Sequence, residues 1–329
     1  LWVMGAYLGA LKGQWICMII TEVLMCLYLY KNIIREVKIV FDLKVSWKYV
    51  KIGFPIFIVG SLFDIFLSSD RLAAGLIYGT TELGLYAIAS LGFTLLGIVP
   101  RVATQILWPR MAEKMGEKDY SLQSIVPFIK NPLDAMVVLM TPLVGMIILL
   151  LPITILILMP KYTSAIGTAQ ILIVSTYFVT IMSMYQVFLG TSRRNFPYGV
   201  IVLLGIALNF LGIYISYNLG YGIEGIAFSR VISFSFIALG LIGYVETILG
   251  KSLKQLFLYF ASLLFPITYI CFITWILIPM KVPYQFTSFE DLVYVTSVQI
   301  LVMLILVAPI TWFGVKKTGI LSDVKNYLK

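Results

Sequence analysis

The chain has 329 residues, of which 60% are hydrophobic and only 12% are charged, and its mean hydropathy is +0.99. This composition excludes a soluble globular domain, in which about 45–50% of residues are apolar and about 25% are charged. Apolar runs of helical length also exclude an outer-membrane barrel, whose strands are shorter and alternate. The composition therefore predicts an all-α polytopic membrane protein.

The net charge of +9 does not require a nucleic-acid partner, because lysine and arginine collect in the cytoplasmic loops of membrane proteins. The chain has no histidine, which excludes histidine metal sites and histidine proton relays. Its three cysteines lie in apolar runs without metal-ligand spacing. No metal, no other cofactor and no nucleic acid is expected to bind.

The first predicted span covers residues 14–30, with Glu22 near its middle. The chain begins at Leu1 rather than at a methionine, and we expect a fragment that lacks the beginning of the protein. Residues 31–49 form a basic connector with aromatic residues close to the membrane.

The next helix, residues 50–71, ends with charge at membrane depth. Asp64, Ser68 and Arg71 follow at i, i+4 and i+7 and therefore share one helical face. Asp70 points elsewhere, because neighbours in sequence diverge by about 100° around a helix. A polar stripe of this kind must face protein or a water-filled cavity rather than lipid.

A polar amphipathic stretch, residues 111–130, is predicted to be a surface helix. Asp134 lies at the entrance of the span that follows. Together with the two helices above, the sequence predicts nine full spans. The remaining ones are residues 83–111, broken near Pro100-Arg101, then 131–159, 165–190, 198–217, 223–244, 256–279 and 292–313.

The distribution of basic residues predicts the topology. Most lysines and arginines fall in alternate loops, and the positive-inside rule places those loops in the cytoplasm. The loops at Arg193-Arg194 and Lys251–Lys254 are then cytoplasmic, and so is the C-terminus. The expected location is the cytoplasmic (inner) membrane.

An ordered set of motifs resembles a known family. It comprises GFPI at 53–56, DR at 70–71, LGLYA at 83–87, PR at 109–110, and ALNFLGIYISYNLGYGIEGIAFSRVISF at 207–234. Their order and spacing resemble the second lobe of oligosaccharide flippases, the O-antigen and capsule repeat-unit exporters of the multidrug/oligosaccharidyl-lipid/polysaccharide exporter superfamily. Ser229-Arg230 stands where the family pattern leads us to expect Ala-Thr.

Members of this superfamily have two six-helix lobes that are related by pseudo-symmetry, and often two extra C-terminal helices. The resemblance implies the last helix of the first lobe in residues 1–30 and the cytoplasmic connector in 31–49. It implies the six-helix second lobe in 50–246, and two extra helices with a cytoplasmic tail in 251–329.

The resemblance also implies a function, which is to flip a polyprenyl-diphosphate-linked oligosaccharide across the membrane by alternating access for polysaccharide biosynthesis. Such a transporter is expected to act as a monomer and not as an enzyme, with Na⁺ or H⁺ as a candidate coupling ion. A cation-coupled multidrug exporter and a lipid II flippase of the same superfamily are alternatives. An alternative from another class is an integral-membrane glycosyltransferase or polysaccharide polymerase. Such a protein is expected to have a large outer loop with acidic residues or histidine, whereas the outer loops of this chain are short and the chain has no histidine.

A diphosphate or acidic sugar requires cationic groups, and arginine suits phosphate because its planar fork binds with two donors. The cations at membrane level are Arg71, Arg101 and Arg230, with Asp64, Ser68 and Asp70 beside the first. Alternatively, Asp64 or Asp70 neutralises Arg71 as a static pair, and Arg101 lies near an interface.

The partner of Arg230 must come from another element, because Glu224 and Glu246 lie near helix ends. Glu22 and Asp134 are candidates for a coupling-ion site. For Asp134, a helix N-terminal role stabilised by the dipole is the alternative.

Overall fold

The computed structural model describes residues 2–32, 42–116, 122–192, 194–277 and 289–318. Every regular element in these ranges is helical, as the sequence predicts. Seven stretches of them are long and apolar enough to cross a membrane, so the protein is a multi-pass membrane protein. The count of nine spans stays a prediction.

The chain divides into two compact units, Leu1–Phe54 and Pro55–Lys329. The described helices, numbered in chain order, are α1 Trp2–Asn32, α2 Leu43–Tyr78, α3 Thr80–Leu96, α4 Ile98–Gly116, α5 Leu122–Leu158, α6 Ile166–Thr191, α7 Asn195–Asn218, α8 Gly222–Ile248, α9 Leu253–Leu277 and α10 Phe289–Thr318. A short 3-10 helix, Pro160–Ala165, joins α5 to α6.

Helix α2 is longer than the sequence predicts. It continues past Arg71 to Tyr78 and stops at Gly79, whose φ of 91° lies in the left-handed region that glycine adopts without a steric penalty. The charged residues therefore lie within the helix, about two turns before its end.

The break that the sequence predicts near Pro100-Arg101 lies at Gly97, between α3 and α4. Pro100 cannot donate a backbone hydrogen bond, and its ring crowds the carbonyl four residues earlier, that of Leu96. The helix is thus interrupted just before the proline, which occupies the first turn of α4, where a missing N–H costs little.

The separate surface helix predicted over residues 111–130 is not observed in the described residues. Met111–Gly116 continues α4, and residues 122–130 form the first turns of α5. Residues 117–121 lie outside the described ranges. In the described residues, the polar side chains of this stretch belong to the ends of two long helices.

Helix α6 is the centre of the second unit. It packs against α3, α4, α5 and α8, and 72% of its most apolar stretch is buried. Buried hydroxyl groups of α6 form hydrogen bonds within the helix, since Ser175 and Thr176 donate to the backbone carbonyls of Leu172 and Ile173. Such bonds to the preceding turn satisfy hydroxyls where water is absent.

The last two helices, α9 and α10, pack against α5. Gly145 of α5 allows the close approach, because a Cβ there would lie 2.7 Å from the sulfur of Met303 and 3.1 Å from Ile270. Parts of three predicted features lie outside the described residues, namely residues 33–41 of the basic connector, the outer loop 278–288 and the tail 319–329.

Candidate functional site

The polar stripe of α2 lies on an exposed face. Asp64, Ser68 and Arg71 are all exposed, and they share one face of the helix, as their spacing predicts. The Ser68 hydroxyl donates to the backbone carbonyl of Asp64 at 3.0 Å. The Arg71 guanidinium donates to Oγ of Ser90 on α3 at 2.9 Å. Because no lipid face can hold this stripe, a water-filled cavity or a polar molecule must cover it.

Asp70, the residue before Arg71, is fully buried on the other side of α2. One carboxylate oxygen pairs with the Arg230 guanidinium of α8 at 3.1 Å and accepts the hydroxyl of Tyr86 at 3.2 Å. The other oxygen accepts the side-chain amide of Asn209 on α7 at 2.8 Å. The carboxylate is therefore compensated by groups from three other helices.

Arg230 is itself only 2% exposed. Its guanidinium lies over the ring of Phe93 at 4.2 Å and that of Phe234 at 5.1 Å, where the negative ring faces attract a cation. The prediction that the partner of Arg230 comes from another element is confirmed, and that partner is Asp70 of α2. The guanidinium is enclosed, so a ligand could reach it only if these helices moved apart.

The alternative in which Asp70 neutralises Arg71 is therefore wrong for this structure. The Asp70 carboxylate is occupied by Arg230, Asn209 and Tyr86. In the described part of the chain, no carboxylate, that of Asp64 included, lies within ion-pairing distance of Arg71.

Two glycines of α7 bring the buried cluster together. Gly205, Asn209 and Gly212 recur at i, i+4 and i+7 and face α8. A Cβ at Gly205 would overlap the side chain of Ile237, and one at Gly212 would lie 2.8 Å from the hydroxyl of Ser229. The close approach of α7 to α8 carries the Asn209 amide to Asp70.

Arg101 is exposed in the first turn of α4. Its backbone carbonyl accepts the hydroxyl of Thr104 at 2.8 Å. The structure does not bring Arg101 into the buried cluster of Asp70 and Arg230. Its role as a substrate contact stays a prediction.

The two candidate coupling residues lie in different units. Glu22 is exposed on α1 of the first unit. Asp134 is half-buried on α5, where it interacts electrostatically with Tyr177 and Tyr259. Three or more potential metal ligands do not cluster anywhere in the described ranges.

A second ionic cluster was missed by the sequence analysis. The fully buried Glu246 of α8 pairs with Lys130 of α5 at 3.1 Å and with Lys251 at 2.6 Å, and Tyr185 of α6 donates to it at 3.3 Å. Lys251 lies in the α8–α9 loop. Burial lowers its pKa, but the contacts with Glu246 outweigh burial, and the pKa is raised. A glutamate near a helix end is too common in sequence to reveal such a cluster.

The comparisons with known proteins agree with the motifs. Residues 1–115 match a family model described as a polysaccharide biosynthesis protein. No curated protein sequence matches the chain. Among solved structures, the chain resembles the lipid II flippase MurJ in its inward closed conformation, with a TM-score of 0.64 and 15% sequence identity.

The structural match covers 94% of this chain and 65% of the MurJ chain. The chain thus spans less than two thirds of the length of that flippase. At this identity the likeness concerns the fold, which is shared over nearly the whole chain. The family match over residues 1–115 concerns polysaccharide biosynthesis, as the motifs predict, and the structural match shows a shared fold.

Proposed function

We propose that the chain carries the last helix of one lobe, the whole second lobe and two extra helices of a transporter that flips a polyprenyl-diphosphate-linked oligosaccharide across the cytoplasmic membrane. The family match, which concerns polysaccharide biosynthesis, and the fold of a lipid II flippase support this proposal. The transporter works by alternating access, as a monomer and not as an enzyme.

The single observation that carries the proposal is the state of Arg71. It is exposed on a helix that the sequence predicts to cross the membrane, and its one hydrogen bond within the described residues goes to the neutral hydroxyl of Ser90. A charge on such a helix needs a counter-charge or water. A diphosphate or an acidic sugar in the cavity supplies the counter-charge, and the guanidinium fork binds it with two donors.

The residues of the candidate site then divide into two roles. Arg71 and Arg101 are the exposed cations that contact the anionic part of the substrate, with Ser68 and Asp64 beside the first. Asp70 and Arg230 position α2 against α7 and α8 and do not contact the substrate in this conformation.

An export assay in cells tests the role of Arg71. Arg71→Ala should abolish surface glycan while the protein accumulates normally. Arg71→Lys should restore export in part, since an ammonium keeps the charge and loses the fork. Recovery of export in the double variant with Asp64→Ala would show that Arg71 only neutralises that carboxylate, and would overturn the proposal.

A lipid II flippase is the second candidate, because the fold of the lipid II flippase MurJ is shared. Lipid II is also a saccharide on a polyprenyl diphosphate, so the same arginine serves both substrates. Transport assays in vesicles with lipid II and with a lipid-linked capsule or O-antigen unit distinguish the two candidates by which lipid is flipped.

A further inference from the structure

A groove lies between α4 and α6, in the part of α4 that follows Arg101. Its volume is about 390 Å³, and its surface is mostly apolar, with Pro109 and Val187 among the lining residues. Its few polar groups come from Thr104, Gln105, Trp108, Ser183 and Gln186, none of which is ionisable. The absence of charge separates the groove from both ionic clusters.

The two side-chain amides that line the groove are available to a ligand. Neither Gln105 nor Gln186 makes a hydrogen bond to another residue in the described ranges. Elsewhere in the membrane helices, Gln170 and Gln299 donate to the backbone carbonyls of Ile148 and Leu277 at 3.0 and 2.9 Å. Amides on helices that cross a membrane need hydrogen-bond partners, so water or a polar ligand must reach Gln105 and Gln186.

Trp108 forms one wall of the groove and is 40% exposed. Its ring is seated against Gly190 of α6, where a Cβ would lie 2.8 Å from the ring carbon Cη2. The same residue borders a second cavity of about 480 Å³, which is lined by Gly190, Thr191 and Ser192. The absence of a side chain at residue 190 allows the ring to lie in this position.

This combination fits a neutral sugar. Primary amides and hydroxyls both donate and accept hydrogen bonds, as the hydroxyls of a sugar do. The indole ring supplies a flat apolar surface with a polar N–H at its edge, which suits the apolar C–H face of a sugar ring. Arg101 and Gln105 lie at i and i+4 on α4, so a phosphate at the arginine would place its attached sugar beside the groove.

We infer that the groove is a saccharide subsite for the lipid-linked glycan. The amides of Gln105 and Gln186 hydrogen bond to sugar hydroxyls, with Thr104 and Ser183 beside them, and the ring lies against Trp108. This inference rests on the proposed function, because it takes the sugar to be attached to a polyprenyl diphosphate.

The test compares lipids with and without sugar. Full-length protein in lipid nanodiscs is titrated with polyprenyl diphosphate and with derivatives that carry N-acetylglucosamine or galactose. We expect at least one glycosylated lipid to bind more tightly than the bare lipid. Gln105→Leu with Gln186→Leu should remove this advantage, by roughly two- to tenfold for each lost hydrogen bond, and leave the affinity for the bare lipid unchanged.

Two further variants keep the test independent of the amides. Trp108→Phe should reduce the advantage of the glycosylated lipid, whereas Trp275→Phe on the exposed face of α9 should not. Gly190→Ala should displace the ring and reduce the advantage as well. Its matched control is Gly243→Ala, where the added Cβ would meet its nearest atom at 3.7 Å.

The outcomes separate the two proposals. If both lipids bind with equal affinity, or if the advantage of the glycosylated lipid survives the double glutamine substitution, the subsite is overturned and the flippase proposal stands. If the variants weaken both lipids equally, the groove holds no sugar and the subsite is likewise overturned. If neither lipid binds the unmodified protein, the proposed function fails and the subsite fails with it.

Discussion

Asp70 and Arg71 are neighbours in the sequence but lie in opposite environments. Asp70 is enclosed by α3, α7 and α8 and is compensated by Arg230, Asn209 and Tyr86. Arg71 is exposed, and within the described residues it donates a hydrogen bond to a single hydroxyl, that of Ser90. On a helix that the sequence predicts to cross the membrane, a charge is thus either neutralised within the protein or kept on a face that water or a ligand must cover. The first arrangement stabilises the fold, and the second is available for function.

The largest expected effect follows from Arg230→Leu. This substitution leaves the Asp70 carboxylate buried without its counter-charge, which costs about 3–5 kcal/mol of stability. Thermal unfolding of the purified protein in detergent measures the loss. The double variant Asp70→Asn with Arg230→Leu should recover most of it, because an ion pair replaced by uncharged groups is often nearly neutral in stability. A double variant no more stable than the single one would contradict the pairing.

Glu246→Gln tests the second ionic cluster and should cost about 1.5–3 kcal/mol, the value of a hydrogen bond to a charged group. The effect is smaller because Lys130 and Lys251 keep 22% and 27% of their side chains exposed and can turn to water. The same unfolding assay measures it. Lys130→Met combined with Lys251→Met should cost more than the sum of the single substitutions, since either lysine alone still compensates Glu246. Simple additivity would contradict this account.

Gly205→Ala tests the packing that forms the buried cluster. The added Cβ overlaps Ile237, and forcing α7 away from α8 should cost about 1–3 kcal/mol. Gly243→Ala serves as the control, because it meets only ordinary contacts. Equal unfolding temperatures for the two variants would show that α7 and α8 separate without cost.

Arg71→Ala should have the smallest effect on stability, within about 0.5 kcal/mol, because an exposed side chain without a charged partner leaves nothing unpaired. Export should nevertheless be lost. The unfolding temperature and the amount of protein in the membrane, measured beside Arg230→Leu, sharpen the comparison of the two arginines. A stability loss as large as that of Arg230→Leu would place Arg71 among the structural charges.

The sequence by itself determined the fold class and most of the helices. Apolar composition and run length identify membrane helices because the bilayer requires every backbone group to be satisfied within the segment. Helical periodicity also separated Asp64, Ser68 and Arg71 from Asp70, and this separation is observed. Local geometry fixes such features, so they can be derived without any knowledge of distant residues.

The helix ends were determined less well. The prediction ended the second helix at Arg71, whereas the helix continues to Tyr78 and stops at Gly79. The surface helix over residues 111–130 was inferred from polarity alone. Polarity reports the need for a partner or for water, but it does not say whether the helix stops there.

Only the tertiary structure decided which charges pair. Asn209 lies 139 residues beyond Asp70, and Lys130 lies 116 residues before Glu246, yet each pair is in direct contact. Gly205 and Gly212 permit the first of these contacts, but an isolated glycine in a membrane helix is too common to predict one. Periodicity specifies the face of a helix on which a side chain lies, whereas the packing of helices specifies what that face meets. The sequence therefore offered Arg71 and Arg230 alike as substrate contacts, and only the fold showed that one is exposed and the other is buried against Asp70.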